Sequence, residues 1–284
     1  MDKAFNGYGE EAAVDSAKAL AKAASEHRLL TLVEAEIIPR LMLAHQDPRR
    51  EAADPAAIPS EEVVDFSRAL LRQDMARAND LIEQLCKRGV DMDAIFLGLF
   101  TQAARYLGEL WEADLCNFSE VTLCLWRMQT LMYELSPAFH ESIPTTSDKK
   151  SAERRILMAT LPGQQHTFGL SMLSEFFRRD GWVVLAIPSP KVREIQDTLS
   201  QHWFDVLALS ASMDGEIEEL SKTIKAARKT SRNPRLAIMV GGPLFLRQPE
   251  LADTVGADGM SEDAPGALAL ASQFLQQQKD VKLN

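Results

Sequence analysis

Apolar side chains recur with two different periods along the chain. Between about residues 59 and 140 they return every three or four positions, which is the spacing of amphipathic helices. After about residue 151, short apolar runs alternate with helical segments, a pattern typical of parallel strands covered by helices. The fold class predicted is therefore α + α/β: N-terminal helices and a four-helix cap, followed by a doubly wound parallel sheet.

Two proline-bearing polar stretches separate these regions. "QDPRREAADPAAIPSEE" precedes the helical part, and "SPAFHESIPTTSDKKSAE" follows it. The predicted domains are a helical region with its linker over 1–58, a four-helix cap over 59–140 and a sheet domain over 151–278. Ser60 is predicted to cap the first cap helix, with Glu61 and Glu62 favourable in its first turn.

Five strands are predicted in the sheet domain. The apolar runs "RILMAT", "WVVLAI", "DVLALS" and "RLAIMVGG" supply four of them, and "GADGM" supplies a short fifth. The stretch "APGALALASQFLQQQ" reads as a closing helix. Near-continuous apolar strands of this kind are expected to be buried on both faces of the sheet.

Composition narrows the classes of function. The net charge of −10 and a pI near 5.1 lack the basic footprint that binding to nucleic acid needs. No apolar run approaches the length of a membrane span, and the N-terminus has no secretory core. The three cysteines are expected to be reduced thiols, buried as small hydrophobes. A soluble cytoplasmic protein is therefore expected.

Small and polar residues collect where the predicted strands end. Ligands bind outside the carboxyl ends of the strands in an open parallel sheet, so these residues are expected to share one edge. They are Gly163, Gln164, His166 and Gly169 after the first strand, Ser210 and Ser212 after the third, and Gly241 and Gly242 after the fourth. Neither a phosphate loop nor a dinucleotide pattern is present, which makes a nucleotide an unexpected ligand.

This order of motifs resembles the cobalamin-binding fingerprint Asp-x-His-x-x-Gly, Ser-x-Leu/Thr/Ser, Gly-Gly. The separations between the three motifs are also similar to those of that family. The resemblance implies a flavodoxin-like cobalamin-binding domain in which His166 is the lower ligand of cobalt, a role that suits an imidazole nitrogen. It implies that Gly169 leaves room for the nucleotide tail of the cofactor and that Ser210 hydrogen-bonds its base. The remaining predicted cofactor contacts are Gln165, Thr167, Phe168, Ser212, Gly241, Gly242 and Pro243.

One motif position departs from the family. Gln164 stands where the fingerprint has the aspartate that accepts the second ring N–H of the histidine. A neutral amide can accept that hydrogen but supplies no charge, so weaker ligation of cobalt is expected. Related sensors with the same fold are thought to hold haem, and haem is therefore the alternative cofactor.

The helical segment "LGELWEADLCNFSEVTLCLWRMQTLM" resembles the cap of cobalamin modules in methionine synthase and in light-sensing repressors. Trp111 matches the tryptophan over the upper face of the corrin, although an ordinary core aromatic is the alternative reading. Val121 and Thr122 stand where the adenosylcobalamin photoreceptors have Glu-His. The resemblance therefore implies that an adenosyl group is held poorly, which favours a small upper ligand such as water or hydroxide, and the sequence leaves the upper ligand open.

The stretch "LVEAEIIPRLMLAH" with the linker after it resembles the AerR/PpaA-type antirepressors of photosynthetic bacteria. That resemblance implies a light- or redox-responsive cobalamin protein, not an enzyme, with a CrtJ/PpsR-type repressor as its partner and no direct contact with nucleic acid or membrane. The alternatives are a corrinoid methyl carrier and a haem-binding redox sensor. The sequence leaves the oligomeric state open.

Overall fold

The computed structural model describes residues 58–142, 153–164, 167–191 and 193–280. The predicted N-terminal helical region lies almost wholly outside these residues, as do Gln165 and His166. The chain divides after Cys124 into two compact units.

Four helical elements make up the cap region. They are α1 (Ser60–Leu71), α2 (Met75–Lys87), a π-helical segment (Ala94–Phe100) that continues directly as α3 (Thr101–Glu112), and α4 (Phe118–Glu141), which runs on into the second unit. Phe66, Phe96 and Phe100 are fully buried in the helical unit. The ring of Phe100 lies 5.8 Å from that of Phe66 and 5.6 Å from that of Phe96, measured between centroids. These aromatic contacts hold α1 against the π-helical segment.

Two predictions about helix ends are wrong. Pro59, not Ser60, is the N-cap of α1, and no side chain caps this helix; Pro59 fixes its own φ in a conformation from which the helix can start. The second predicted linker also begins too early, because α4 continues through Pro137 to Glu141.

Contacts with another helix explain why α4 tolerates a proline. Phe139 is fully buried, and its ring packs edge-on against Phe176 with 4.9 Å between centroids. His140 Nε2 lies 3.0 Å from the buried Glu175 carboxylate. Burial of one phenylalanine is worth about 1.5–3 kcal/mol, comparable with the roughly 3 kcal/mol that proline costs inside a helix.

The second unit contains a five-stranded parallel sheet with the order β2-β1-β3-β4-β5. The strands are β1 (Arg155–Thr160), β2 (Val183–Ile187), β3 (Val206–Ser210), β4 (Ala237–Gly241) and β5 (Gly259–Met260). The helices are α5 (Phe168–Arg179), α6 (Glu194–Gln201), α7 (Ile217–Thr230), α8 (Pro243–Arg247), α9 (Leu251–Val255) and α10 (Ala264–Asp280). The predicted fold class is confirmed.

Alternate residues of each central strand pack into two separate hydrophobic cores, one on each face of the sheet. Leu157 and Ala159 of β1 face one cluster with Leu207 of β3, whereas Ile156 and Met158 face the other. This two-sided burial is what makes the central strands read as continuous apolar runs. The edge strand β2 differs: Val183 and Leu185 are exposed, so the expectation of burial on both faces is wrong for β2.

Two short helices were not predicted from the sequence. After β4 the chain forms α8 and α9, each of five residues. They are too short to show a helical period, and α8 is held by the buried side chains of Leu244 and Phe245. None of the helices in the described ranges is long and apolar enough to cross a membrane.

The three cysteines differ in exposure, and the expectation that all are buried is wrong for one. Cys124 is buried and Cys116 is partly buried, but Cys86 is exposed on α2. Burial, together with the nearby Glu120 and Cys124, raises the pKa of the Cys116 thiol to about 11.

We expect iodoacetamide to alkylate Cys86 first in the native protein. The thiolate is the reactive form, and at about pH 8 roughly one Cys116 in a thousand carries it, given a pKa near 11. Peptide mass spectrometry over a time course measures the order of reaction. Equal rates at Cys86 and Cys116 would contradict the burial described for Cys116.

Candidate functional site at the carboxyl edge of the sheet

Three strand ends with predicted site residues lie side by side. In the register of the sheet, Thr160 of β1 pairs with Ser210 of β3, and Ser210 pairs with Gly241 of β4. Beyond this row, the Ala211 N–H donates to the Gly241 carbonyl at 3.1 Å. The structure therefore brings together the β1, β3 and β4 ends at one edge, where ligands of parallel sheets bind.

Gly242 occupies a backbone conformation that other residues rarely adopt. Its φ of 98° and ψ of 176° fall in a region that is essentially restricted to glycine. A Cβ at this position would lie 2.6 Å from the Ala211 carbonyl oxygen and 2.8 Å from Ser210 Oγ. Close packing of the β3 and β4 ends on each other thus explains this glycine without any ligand.

Gly169 presents the opposite case. It lies in the first turn of α5 and is exposed, and a Cβ added there would meet no atom within 4 Å. Thr167 and Phe168, which precede it, are half-buried. The fold gives no reason for a glycine inside this helix, although glycine costs about 0.5–1 kcal/mol there relative to alanine. The open space beside Gly169 is available to a ligand.

Gln164 contacts a carboxylate that the sequence did not single out. Its side-chain amide donates through Nε2 to Oε1 of Glu216, and Glu216 Oε2 accepts the backbone N–H of Ser212 at 2.9 Å. Glu216 and Ser212 are 9% and 8% exposed. The loop after β1 and the loop after β3 are thereby joined through one buried side chain.

The loop after β3 is also held from its other side. The Arg247 guanidinium of α8 donates to the Ser212 carbonyl at 3.0 Å, and the Gln248 amide donates to Asp214 at 3.3 Å. Pro243, a predicted contact, is the exposed first residue of α8. The β3 loop is therefore fixed between the β1 loop and α8.

The remaining predicted contacts lie on the helical unit or outside the described residues. Trp111, in the last turn of α3, is 47% exposed, which argues against its alternative reading as a core aromatic. Val121 is half-buried on α4. Thr122 is exposed, and its hydroxyl donates to the Phe118 carbonyl at 2.8 Å. Gln165 and the predicted cobalt ligand His166 belong to the residues that are not described.

The helical unit also has a surface cavity of about 500 Å³. Its lining is mainly charged and includes none of the predicted site residues: Asp65, Arg68, Ala69, Arg72, Asp74 and Arg77. A pocket for a large, mostly apolar ligand is expected to have a different lining. We therefore place the candidate site at the sheet edge.

The fold and this edge define a Rossmann-like ligand-binding protein with an attached helical region. Two B12 binding domain families match the chain, one over residues 154–269 and the other over residues 64–136. Together the matches cover more than half of the chain. It belongs to the cobalamin-binding domain proteins, and cobalamin is its cofactor.

Relatives of known sequence support the same family. A protein of Rhodobacter capsulatus, described as an uncharacterized 20.5 kDa protein in the bchF-crtJ intergenic region, is 24% identical over 57% of this chain and 82% of its own length. A corrinoid protein of Desulfitobacterium hafniense is 21% identical over 69% of this chain and 91% of its own. Dimethylamine corrinoid protein 3 of Methanosarcina acetivorans is 26% identical over 47% and 61%.

A solved structure shows the fold. The monomethylamine corrinoid protein of Methanosarcina barkeri superposes with a TM-score of 0.59 at 18% identity, over 75% of this chain and 98% of that one.

The described residues fit the cofactor. The open space at Gly169 and the polar groups at the ends of β1 and β3 lie where a parallel sheet receives its ligand. Gln164, Ser210 and Ser212 carry groups that can hydrogen-bond a nucleotide tail or support a metal ligand.

Proposed function

We propose that this protein is a cobalamin-dependent, light- or redox-responsive sensor that regulates a protein partner, a transcriptional repressor of photosynthesis genes. The observation that carries the proposal is the state of position 164: an amide bound to Glu216 replaces the aspartate of the family fingerprint. The relative encoded between bchF and crtJ supports the same assignment.

Each part of the site has a role in this proposal. His166 would be the protein ligand of cobalt, and Gln164 would accept its second ring N–H without adding charge to it. Gly169 would leave room for the nucleotide tail, and Ser210 would bind the base at its end. When bound, cobalamin supplies a coloured cobalt centre whose axial ligands can exchange. A weakly supported imidazole suits a centre that changes its ligands in response to a signal.

The charge of the chain supports the partner that the resemblance to AerR/PpaA-type antirepressors implies. The chain carries a net charge of −10, which favours approach to a basic protein such as a DNA-binding repressor and disfavours DNA itself. We propose a CrtJ/PpsR-type repressor as this partner and the cytoplasm as the place where the two meet.

A corrinoid methyl carrier is the second candidate function. Two of the relatives are named as corrinoid proteins, one of them for dimethylamine. Such carriers normally retain the aspartate of the first motif, and Gln164 departs from it. On this ground the sensor is the better-supported function.

Absorbance of the purified, cobalamin-loaded protein separates the candidates. The sensor predicts corrin bands that change on illumination or on a change of redox conditions, together with altered binding to a purified CrtJ/PpsR-type repressor. Transfer of a methyl group from the loaded protein to a thiol, with no effect on repressor binding, would establish the carrier instead. A Soret band after expression without added cobalamin would favour the haem alternative.

Replacement of His166 by alanine is expected to weaken cobalamin binding. Loss of a group that supports a metal ligand typically costs about 10- to 100-fold in affinity, and loss of the ligand itself should cost at least as much. Equilibrium dialysis and the absorbance spectrum measure the effect. His202→Ala, which changes an exposed histidine after α6, is the matched control. Unchanged affinity and spectrum in His166→Ala would contradict its role as lower ligand.

A further inference from the structure

Glu216 is a buried carboxylate that joins two loops of the cofactor site, although no fingerprint motif includes it. It is the last residue of the short 3₁₀ turn Asp214–Glu216 and directly precedes α7, and it is 9% exposed. Its two oxygens accept from two different loops: Oε1 from the Gln164 amide after β1, and Oε2 from the Ser212 N–H after β3. A charge in such a place needs hydrogen-bond partners, and here it has them.

These contacts decide which way the Gln164 amide faces. A carboxylate accepts hydrogen bonds and does not donate them, so it selects the nitrogen side of the amide. The carbonyl oxygen of the same amide must then face away from Glu216. A glutamine at this position could otherwise present either end, and only the oxygen end can accept the ring N–H of a histidine.

The anchor of Glu216 is itself fixed. The Ser212 carbonyl accepts a hydrogen bond from Arg247 at 3.0 Å, so the peptide units on both sides of Ser212 are held. The backbone N–H of Gln164 also donates to the Leu161 carbonyl at 3.2 Å. Gln164 is thus restrained at its main chain and at its side chain, two positions before His166 in the sequence.

We infer that Glu216 is a positioning residue for the lower cobalt ligand. It orients the Gln164 amide as a hydrogen-bond acceptor and supplies, one residue further from the metal, the negative charge that the family fingerprint places at position 164. The inference rests on the proposed role of His166 and Gln164. It adds that the carboxylate has not been lost from this site but stands on the β3 loop.

Four forms of the full-length protein test this role. They are the wild type, Glu216→Gln, Gln164→Glu, and the exchange variant that carries both substitutions. The exchange keeps one carboxylate and one amide in hydrogen-bond contact and reverses which residue carries the charge. Glu218→Gln changes an exposed carboxylate of α7 and is the matched control.

Electron paramagnetic resonance of the Co(II) form reports the lower ligand directly. In protein labelled with ¹⁵N-histidine, a histidine ligand splits each cobalt line into a doublet, whereas the cofactor's own unlabelled base gives a triplet. We expect the doublet in the wild type and in the Glu218→Gln control. Glu216→Gln should lose much of the doublet and bind cobalamin about 10- to 100-fold more weakly, and the exchange variant should regain both.

The outcomes separate this inference from the proposed function. If the wild type binds cobalamin but shows only the triplet, the role of His166 fails, and this inference fails with it. If the wild type shows the doublet and Glu216→Gln matches it in spectrum and affinity, the inference alone is overturned. Loss of ligation in Glu216→Gln that the exchange variant does not restore, while thermal unfolding of the cofactor-free proteins is unchanged, also contradicts a positioning role shared with Gln164.

Discussion

Gly242→Ala is expected to lower the free energy of unfolding of the sheet unit by about 2–5 kcal/mol. The φ of 98° at this residue places any side chain in a strained backbone conformation. The new Cβ would also lie 2.6 Å from the Ala211 carbonyl oxygen, and a backbone atom cannot move aside as a flexible side chain can. Because domains are stable by only about 5–15 kcal/mol in total, a large part of the stability would be lost.

Urea denaturation of the cofactor-free protein, followed by tryptophan fluorescence, measures this effect. Trp182 is buried in the sheet unit and reports its unfolding. Gly241→Ala is the matched control, because Gly241 has no positive φ and its Cβ would lie 3.2 Å from the Ser261 carbonyl. We expect a smaller loss there, near the roughly 1 kcal/mol of an ordinary substitution. An equal loss in both variants would show that the backbone at 242 is not strained.

The sheet was predictable because burial on two faces leaves a simple trace in the sequence. In β1, Ile156 and Met158 serve one core while Leu157 and Ala159 serve the other, so every position is apolar. The edge strand β2 contains the same residue types, yet Val183 and Leu185 are exposed. The spacing of apolar residues along the chain shows which residues can be buried. It does not report which strand lies at an edge.

Helix ends were less predictable because distant contacts decide them. Pro137 marks the end of α4 in any local reading, but Phe139 packs on Phe176 of another helix and carries α4 on to Glu141. The two short helices after β4 likewise form because of contacts with residues distant in sequence. They depend on burial of Leu244 and Phe245, which no local period reveals.

The candidate site also has a part that the sequence predicts and a part that only the structure shows. Its motif residues stand at the ends of β1, β3 and β4, and a general rule about parallel sheets places them on one edge. Glu216 follows Ser212 by four positions in "SASMDGE", but it resembles any acidic residue at the start of a helix. Only its contact with Gln164, across 52 positions of sequence, distinguishes it.

Two glycines of the same fingerprint illustrate how far a motif can be interpreted. Gly242 is required by its own backbone and its neighbours, so its presence says little about a ligand. Gly169 has neither a positive φ nor a close neighbour, and alanine would suit its helix better. A substitution at Gly169 can therefore change cofactor binding without disturbing the fold, whereas a substitution at Gly242 cannot.

Substitution of Gly169 is expected to separate stability from cofactor binding. Gly169→Ala should leave the cofactor-free protein as stable as the wild type or more stable by about 0.5–1 kcal/mol, and Gly169→Leu should also fold. Both should bind cobalamin more weakly, and leucine more so, because the side chain fills space that the nucleotide tail needs. A misfit of about 1–3 kcal/mol corresponds to a roughly 5- to 150-fold rise in Kd.

Thermal unfolding of the cofactor-free proteins and equilibrium dialysis with cobalamin measure the two effects separately. Ser200→Leu places the same side chain on an exposed position of α6, near the end that leads into the start of β3 and thus at the opposite edge of the sheet; it should bind cobalamin as the wild type does. If Gly169→Leu also binds normally, the open space beside α5 does not receive the tail. If the Kd for cobalamin rises with the size of the side chain at position 169 and stability is not lost, the cofactor occupies that space.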